Sequence, residues 1–279
     1  MQEFQKNVEY PLDEKQHARV REAIIKEATR TLVARYFIEI FGPLGAGLET
    51  VSFETYAADE LAKIDLEGGI DAKIATPHEE VYRRIPILYK DFELHWRDVD
   101  FARKNGSPLD VTRAIRAAHF VADREDDLIF NGSTELGIEG LLNVKGRNTV
   151  PLGDWNRFGV AFDTIQGATE KLLTLNHHRP YACVLSPHLY ASLLKVKDGQ
   201  QFLELDQITR LCTDGVYQSP SIPQGKGVVV STGPQNFDLA VAQDLEIAFL
   251  GPRAMNYQFR VFESVVLRIK RPTAVCTLE

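Results

Sequence analysis

The segment from Ile85 to Asn143 constrains this chain more than any other. Ile85-Pro-Ile-Leu-Tyr-Lys-Asp-Phe-Glu-Leu-His-Trp-Arg-Asp98 alternates apolar and polar residues, the period of a half-buried strand. Asn105-Gly-Ser-Pro-Leu-Asp-Val111 then reads as a capped turn, with Ser107 as N-cap, Pro108 as first helical residue and Asp110 as the capping-box acid. A helix is predicted over 108–130, where Val111, Ile115, Ala118, Ala122 and Ile129 keep one apolar stripe and Asn131-Gly132 supplies a left-handed stop. At 1.5 Å per residue it would be on the order of 35 Å long. That length suits the spine of an elongated body. Gly137-Ile-Glu-Gly-Leu-Leu-Asn143 closes the segment, and nothing in it has the look of an active site.

The remaining elements fall around that spine. A first helix is predicted from Asp13 to about Arg35, with Gln16 completing a capping pair and Val20, Ile24, Ala28 and Leu32 on one face. Tyr36-Phe-Ile-Glu-Ile-Phe41 alternates as a strand and ends at the turn Gly42-Pro-Leu-Gly-Ala-Gly47. Residues 48–84 are different. Their short alternating pieces, Val51–Tyr56 and Ile70–Ala75, supply too little apolar surface for a core. A two-stranded arm of this kind is marginal alone and has open edges, so a neighbouring subunit is the economical cover. From Glu135 to Ala240 the units shorten: a helix near Phe162–Leu175, strand Tyr181–Leu185, a helix opened by Ser186-Pro187, then Ile208–Leu211, Thr213–Pro220 and strand Val228–Ser231. This reads as a compact α/β region. Leu245–Leu250 and Tyr257–Lys270 return to strand alternation and would pair with the early strands.

Candidate chemistry is thin. The net charge of -7 argues against a general nucleic-acid binder, although 32 Lys and Arg leave room for one basic face. Cys183, Cys212 and Cys276 are far apart and form no CxxC pair, which fits a reducing setting and no zinc. No apolar run approaches the roughly 20 residues of a membrane span, and the N-terminus lacks the apolar core of a signal peptide. A cytoplasmic location is expected. Glu14-Lys-Gln-His17 has di-iron spacing but no second copy. His177-His178 lacks a third ligand, and His95, Trp96 and His119 read most simply as packing residues with a polar tip. Asp123-Arg-Glu-Asp-Asp127 reads as a solvated or inter-subunit face. The glycine runs have the wrong order for GxGxxG or a P-loop, and no GxSxG elbow exists. No catalytic residue, metal or cofactor is expected.

Several segments carry a resemblance over the whole chain: Gly42–Gly45, Ile85–Phe92, Leu94–Asp98, Pro108–Val111, Glu125–Phe130, Gly140–Leu142, Asp214–Tyr217 and Leu267–Pro272. In their residues and order the chain resembles the encapsulins, nearest in look to the myxobacterial iron-storing type of family 1. These are prokaryotic shell proteins that build closed compartments. The resemblance implies an α+β, HK97 phage-like capsid fold. Its peripheral domain would comprise residues 1–47, 85–134 and 241–279, its extended arm (the E-loop) 48–84 and its axial domain 135–240. It implies a homo-oligomer of about sixty subunits or small multiples of that, with no membrane or nucleic-acid partner.

The same resemblance places the five-fold opening at Thr213, Asp214, Gly215, Val216 and Tyr217, where repeated copies of Asp214 would favour cations. It also implies a cargo protein, ferritin-like or a peroxidase, held by a short C-terminal targeting peptide on the inner face. The matching groove would be walled by Ile24, Ala28, Leu32, Ile38 and Ile247, with Arg35 as polar anchor. Two other readings stay open: a phage or prophage major capsid protein of the same fold, and a stand-alone hydrolase or peroxidase. The latter lacks any nucleophile–base pair in the sequence.

Overall fold

Helix α1, Glu14–Thr31, begins where its capping pair puts it: Asp13 accepts from the Gln16 N–H and the Gln16 side chain accepts from the Asp13 N–H. It stops short of Arg35 because the Asp126 carboxylate takes the N–H groups of Val33 and Ala34 and tightens the chain into a 3-10 turn at Ala34–Tyr36. The expected strand over 36–41 is therefore cut down to β1, Ile40–Phe41, while Phe37 and Ile38 are both buried. This computed structural model describes residues 10–56, 64–68, 77–196 and 203–279.

Strands β2, Thr50–Thr55, and β3, Glu79–Arg84, form an antiparallel two-stranded arm. The expected piece Ile70–Ala75 lies outside the described residues. Val51 and Phe53 of β2 face the body and are buried. Strand β4, Ile87–Leu94, leads straight into α2, Trp96–Asn105, a helix that the sequence reading passed over. His95 caps it by accepting from the Arg97 N–H, and Gly106 ends it in the left-handed region. Only Val99 and Ala102 of its ten residues are buried, too few to print an apolar stripe.

Helix α3, Thr112–Asn131, starts later than expected and without the Ser107–Asp110 box. Leu109 is buried and its carbonyl accepts from Arg19 of α1, so it is not available to a first helical turn. Asp110 instead accepts from the N–H and hydroxyl of Thr112. The stop stands as expected: Gly132 has φ 70°, and a Cβ there would sit 2.3 Å from the Ile138 carbonyl oxygen. Twenty residues make a spine of about 30 Å.

The next elements are β5, Asn148–Val150; α4, Val160–Thr174; β6, Tyr181–Leu185; α5, Pro187–Ser192; α6, Glu204–Leu211; β7, Val216–Gln218; and β8, Gly227–Ser231. The buried Glu204 of α6 accepts from the Gly159 and Phe162 N–H groups, which caps α4 from a neighbouring helix. The long hairpin β9, Phe237–Arg253, and β10, Asn256–Ile269, follows, and β11, Val275–Leu278, ends the chain.

Two main sheets result, ordered β1-β9-β10-β4 and β5-β11-β8-β6-β7. The late hairpin pairs with β1 and β4, as the alternation predicts. Two boundaries differ from the sequence division. The first sheet reaches back to Phe237, and β11, grouped above with residues 241–279, inserts between β5 and β8 of the second sheet. Its four residues are all buried, so it belongs where both faces are covered. Strand periodicity then divides the second sheet between two cores. Ala182, Val184, Val228 and Val230 join the core under α3, while Tyr181, Cys183, Leu185 and Val229 build another against α4.

Candidate functional site

A groove of about 560 Å³ runs between α1 and the middle of β9. Ile25, Ala28, Leu32, Tyr36 and Leu245 make it apolar, and Asp244, Glu246 and Arg21 bring charge to its lining. Of the six residues expected there, Ala28, Leu32 and Arg35 line it. Ile24 and Ile38 do not, because both are buried in the main core. On the helix the exposed neighbour, Ile25, takes the place of Ile24, one residue and about 100° around the axis. Ile247 packs against the main core one pleat beyond the groove, and Leu245 stands in its place. The lining is thus shifted from the expected set by one residue on α1 and by two on β9.

Arg35 is not an open anchor. Its Nε and Nη2 donate to the two oxygens of Glu125 at 2.7 Å each, Nη2 also donates to Glu263 at 2.9 Å, and Nη1 donates to Asp244 at 2.8 Å. Glu125 and Asp126 belong to the charge run read above as a solvated face, yet they are 0% and 2% exposed. Glu263 is 1% exposed. Burial opposes the charge on Arg35, but the Glu125 and Glu263 carboxylates outweigh it and hold its pKa above the ordinary arginine value. Burial and the nearby Glu125 push the Glu263 carboxyl well above the usual range. Burial also raises Asp126 to about 7, against the pull of its two backbone N–H partners. For Asp244 the balance reverses: burial would raise it, and its bond to Arg35 draws it below the ordinary carboxylate value.

The loop Thr213–Tyr217 joins α6 to β7 at the other side of the turn that ends the groove. Gly215 has φ 111°, and a Cβ would meet the Tyr217 ring at 2.4 Å. The Tyr217 hydroxyl donates to the Asp214 carbonyl at 2.8 Å, and its ring stacks on Tyr36 and Phe37 with centroids 5.7 and 5.9 Å away. Val216 packs against the second core. Val216 and Tyr217 are half-buried, one against the second core and the other in the aromatic stack. Thr213 is exposed, and Asp214 and Gly215 are half-buried.

Other titratable groups are engaged locally. His17 bonds the Tyr10 hydroxyl, His119 lies between Glu27 and Asp123 at 3.3 Å each, and His177 meets Thr273 at 2.8 Å. Among the described residues no three His, Cys, Asp or Glu side chains gather as a metal site, and no helix is long and apolar enough to cross a membrane. The three cysteines are free and buried.

Residues 1–266 match the model of a family described as encapsulating protein for peroxidase. The chain is 46% identical over 279 residues to the type 1 encapsulin shell protein EncA of Myxococcus xanthus (strain DK1622), covering 100% of this chain and 97% of that one. Among solved structures it is similar to the virus-like particle from Pyrococcus furiosus, with TM-score 0.76 and 20% identity over 94% of this chain and 98% of that one. It is also similar to the capsid of Myoviridae phage XM1, with TM-score 0.63 and 13% identity over 88% of this chain and 90% of that one. At those identities the two structures speak to the fold alone, an α+β capsid fold of the HK97-like kind.

Proposed function

Because this chain belongs to the encapsulin family of shell proteins, we propose that it assembles into a closed icosahedral compartment and receives a cargo protein's targeting peptide in the α1–β9 groove. The observation that carries the reading is an open, mostly apolar groove, with charged side chains in its lining, in a chain similar to a shell protein over its whole length. An extended peptide with alternate apolar residues would cover the exposed Ile25 and the half-buried Leu245 above the buried Leu32.

The arm supports assembly. Ile64 and Leu66 are fully exposed, a poor state for two large apolar side chains in an isolated subunit and a natural one under a neighbouring copy. On this reading the subunit is a wall and not an enzyme, about sixty copies or small multiples close the shell, and the particle resides in the cytoplasm. The cargo would be ferritin-like or a peroxidase. The cation opening would be lined by Thr213, Asp214, Gly215, Val216 and Tyr217, with the Tyr217 stack on Tyr36 and Phe37 steadying the loop.

The test is light scattering and negative-stain microscopy of the purified chain, alone and co-expressed with a tailed cargo. Uniform hollow spheres that fill only with tailed cargo are the expected result. Soluble monomers under both conditions would overturn the shell reading, and particles filled with nucleic acid would favour a virion capsid. Replacing Leu245→Asp should leave the spheres intact and reduce cargo loading at least about tenfold, the effect of roughly 1.4 kcal/mol. Full loading would remove the groove from its role.

A further inference from the structure

We propose that Glu263 carries a proton on Oε1 at neutral pH, and that the resulting Glu125–Arg35–Glu263 cluster latches the turn at 32–36 that ends the groove. Glu125 from α3 and Glu263 from β10 are both enclosed, and both reach the same nitrogen, Nη2 of Arg35, at 2.7 and 2.9 Å. One guanidinium cannot neutralise these two carboxylates and Asp244 together. The other charged groups facing the cluster do not restore the balance. Asp126 on α3 is an acid that faces Glu125 and brings no positive charge, and Arg21 on α1 faces Asp244.

The two carboxylates are not equivalent. Both oxygens of Glu125 accept from Arg35, whereas only Oε2 of Glu263 does. Oε1 of Glu263 is buried without a hydrogen-bond partner among the described residues. A carboxylate oxygen in that position has lost water and gained nothing, while a proton taken up from solvent turns it into a donor beside Glu125. The pair then titrates as one unit, with one negative charge against Arg35. The direction in which burial and Glu125 move the Glu263 carboxyl agrees with this geometry.

The latch acts on the groove because Leu32, Arg35 and Tyr36 line it and all belong to this turn. Losing the proton would set two enclosed negative charges on one cation, and the turn would loosen as pH rises. This last step rests on the groove's proposed role as a peptide-docking site, whereas the proton itself does not.

The experiment uses intact particles of the wild type, Glu263→Gln and Glu125→Gln in deuterated buffer. The wild type should give an infrared carboxylic-acid C=O band at neutral pH that Asp126→Asn retains in part and that the double variant Asp126→Asn/Glu263→Gln loses, since the Asp126 carboxyl also holds a proton near pH 7. The wild-type melting midpoint should fall by roughly 3 °C per pH unit across the titration, and Glu263→Gln should flatten that slope. An unchanged band and parallel slopes would overturn the proposal. Should Glu263→Gln fail to assemble, Glu125→Gln gives the same reading, because removing either carboxylate removes the need for the proton. Binding of a cargo-tail peptide, measured against pH on the same particles, separates the two ideas. If the band and slope respond while peptide affinity stays level, the proton stands and its coupling to the groove falls; if no peptide binds at any pH, the groove role falls.

Discussion

Two buried ion clusters lie on the same four-stranded sheet and solve opposite problems. At the start of β9, Asp238 is held bidentately by Arg268 at 2.6 and 2.7 Å and by Lys270 at 2.7 Å, so one acid faces two cations. The surplus charge there sits on Lys270, whose side chain is still partly in solvent and reaches the Pro234 carbonyl. Beside the groove the surplus is negative, and it falls on Glu263, which no water reaches. An unbalanced charge is tolerated where its carrier can be hydrated. Where it cannot, protonation is the remaining route to balance.

The largest expected effect breaks the second cluster outright. Arg35→Ala leaves Glu125 and Glu263 enclosed without a cation and should cost about 3–5 kcal/mol, read from chemical denaturation or from loss of soluble particles. A cost under about 1 kcal/mol would mean that the carboxyls are already neutral or hydrated. A smaller effect concerns pH. Asp126 has a native pKa of about 7 against an ordinary 3.8, so the folded state binds the extra proton. Its contribution to stability is full below about 3.8 and is lost as pH rises through about 7. The slope should not exceed about 1.4 kcal/mol per pH unit. Asp126→Asn should flatten it, and a melting curve that instead gains stability across the window would reverse the sign.

Tyr217→Phe sharpens the comparison from the far side of the turn. It removes the bond to the Asp214 carbonyl and keeps the stack on Tyr36, so it should cost about 1 kcal/mol and leave cargo loading unchanged. Lys270→Ala is the control for the balanced cluster. The group it removes is part-solvated and Arg268 still neutralises Asp238, so the cost should stay below about 1 kcal/mol. A loss as large as that of Arg35→Ala would erase the distinction between the clusters.

Local chemistry was readable from the chain wherever a few neighbouring residues settle the outcome. The Asp13/Gln16 box starts α1, Gly132 ends α3, and the apolar runs of β6 and β8 are strands because these choices need only backbone geometry and adjacent side chains. Of the residues expected to wall the groove, the lining holds Ala28, Leu32 and Arg35, and it is shifted by one residue on α1 and by two on β9. Helix α2 was not, because its register buries only two side chains. The burial of Glu125 and Asp126 was invisible for a different reason. On the sequence they continue an acidic surface run, and only the arrival of Arg35 and the Val33–Ala34 backbone from α1's end makes their position bearable.

Short-range pattern was enough for the start of α1 at Asp13 and the stop of α3 at Gly132, and whole-chain likeness for the capsid-like class and the family. Only packing between distant segments settles which sheet receives β11, that Tyr217 stacks on Tyr36 and that two acids are enclosed around one arginine. Those outcomes depend on which surfaces meet across separations of 90 to 228 residues, and a side chain's burial, partner and charge state follow from that meeting rather than from its neighbours in sequence.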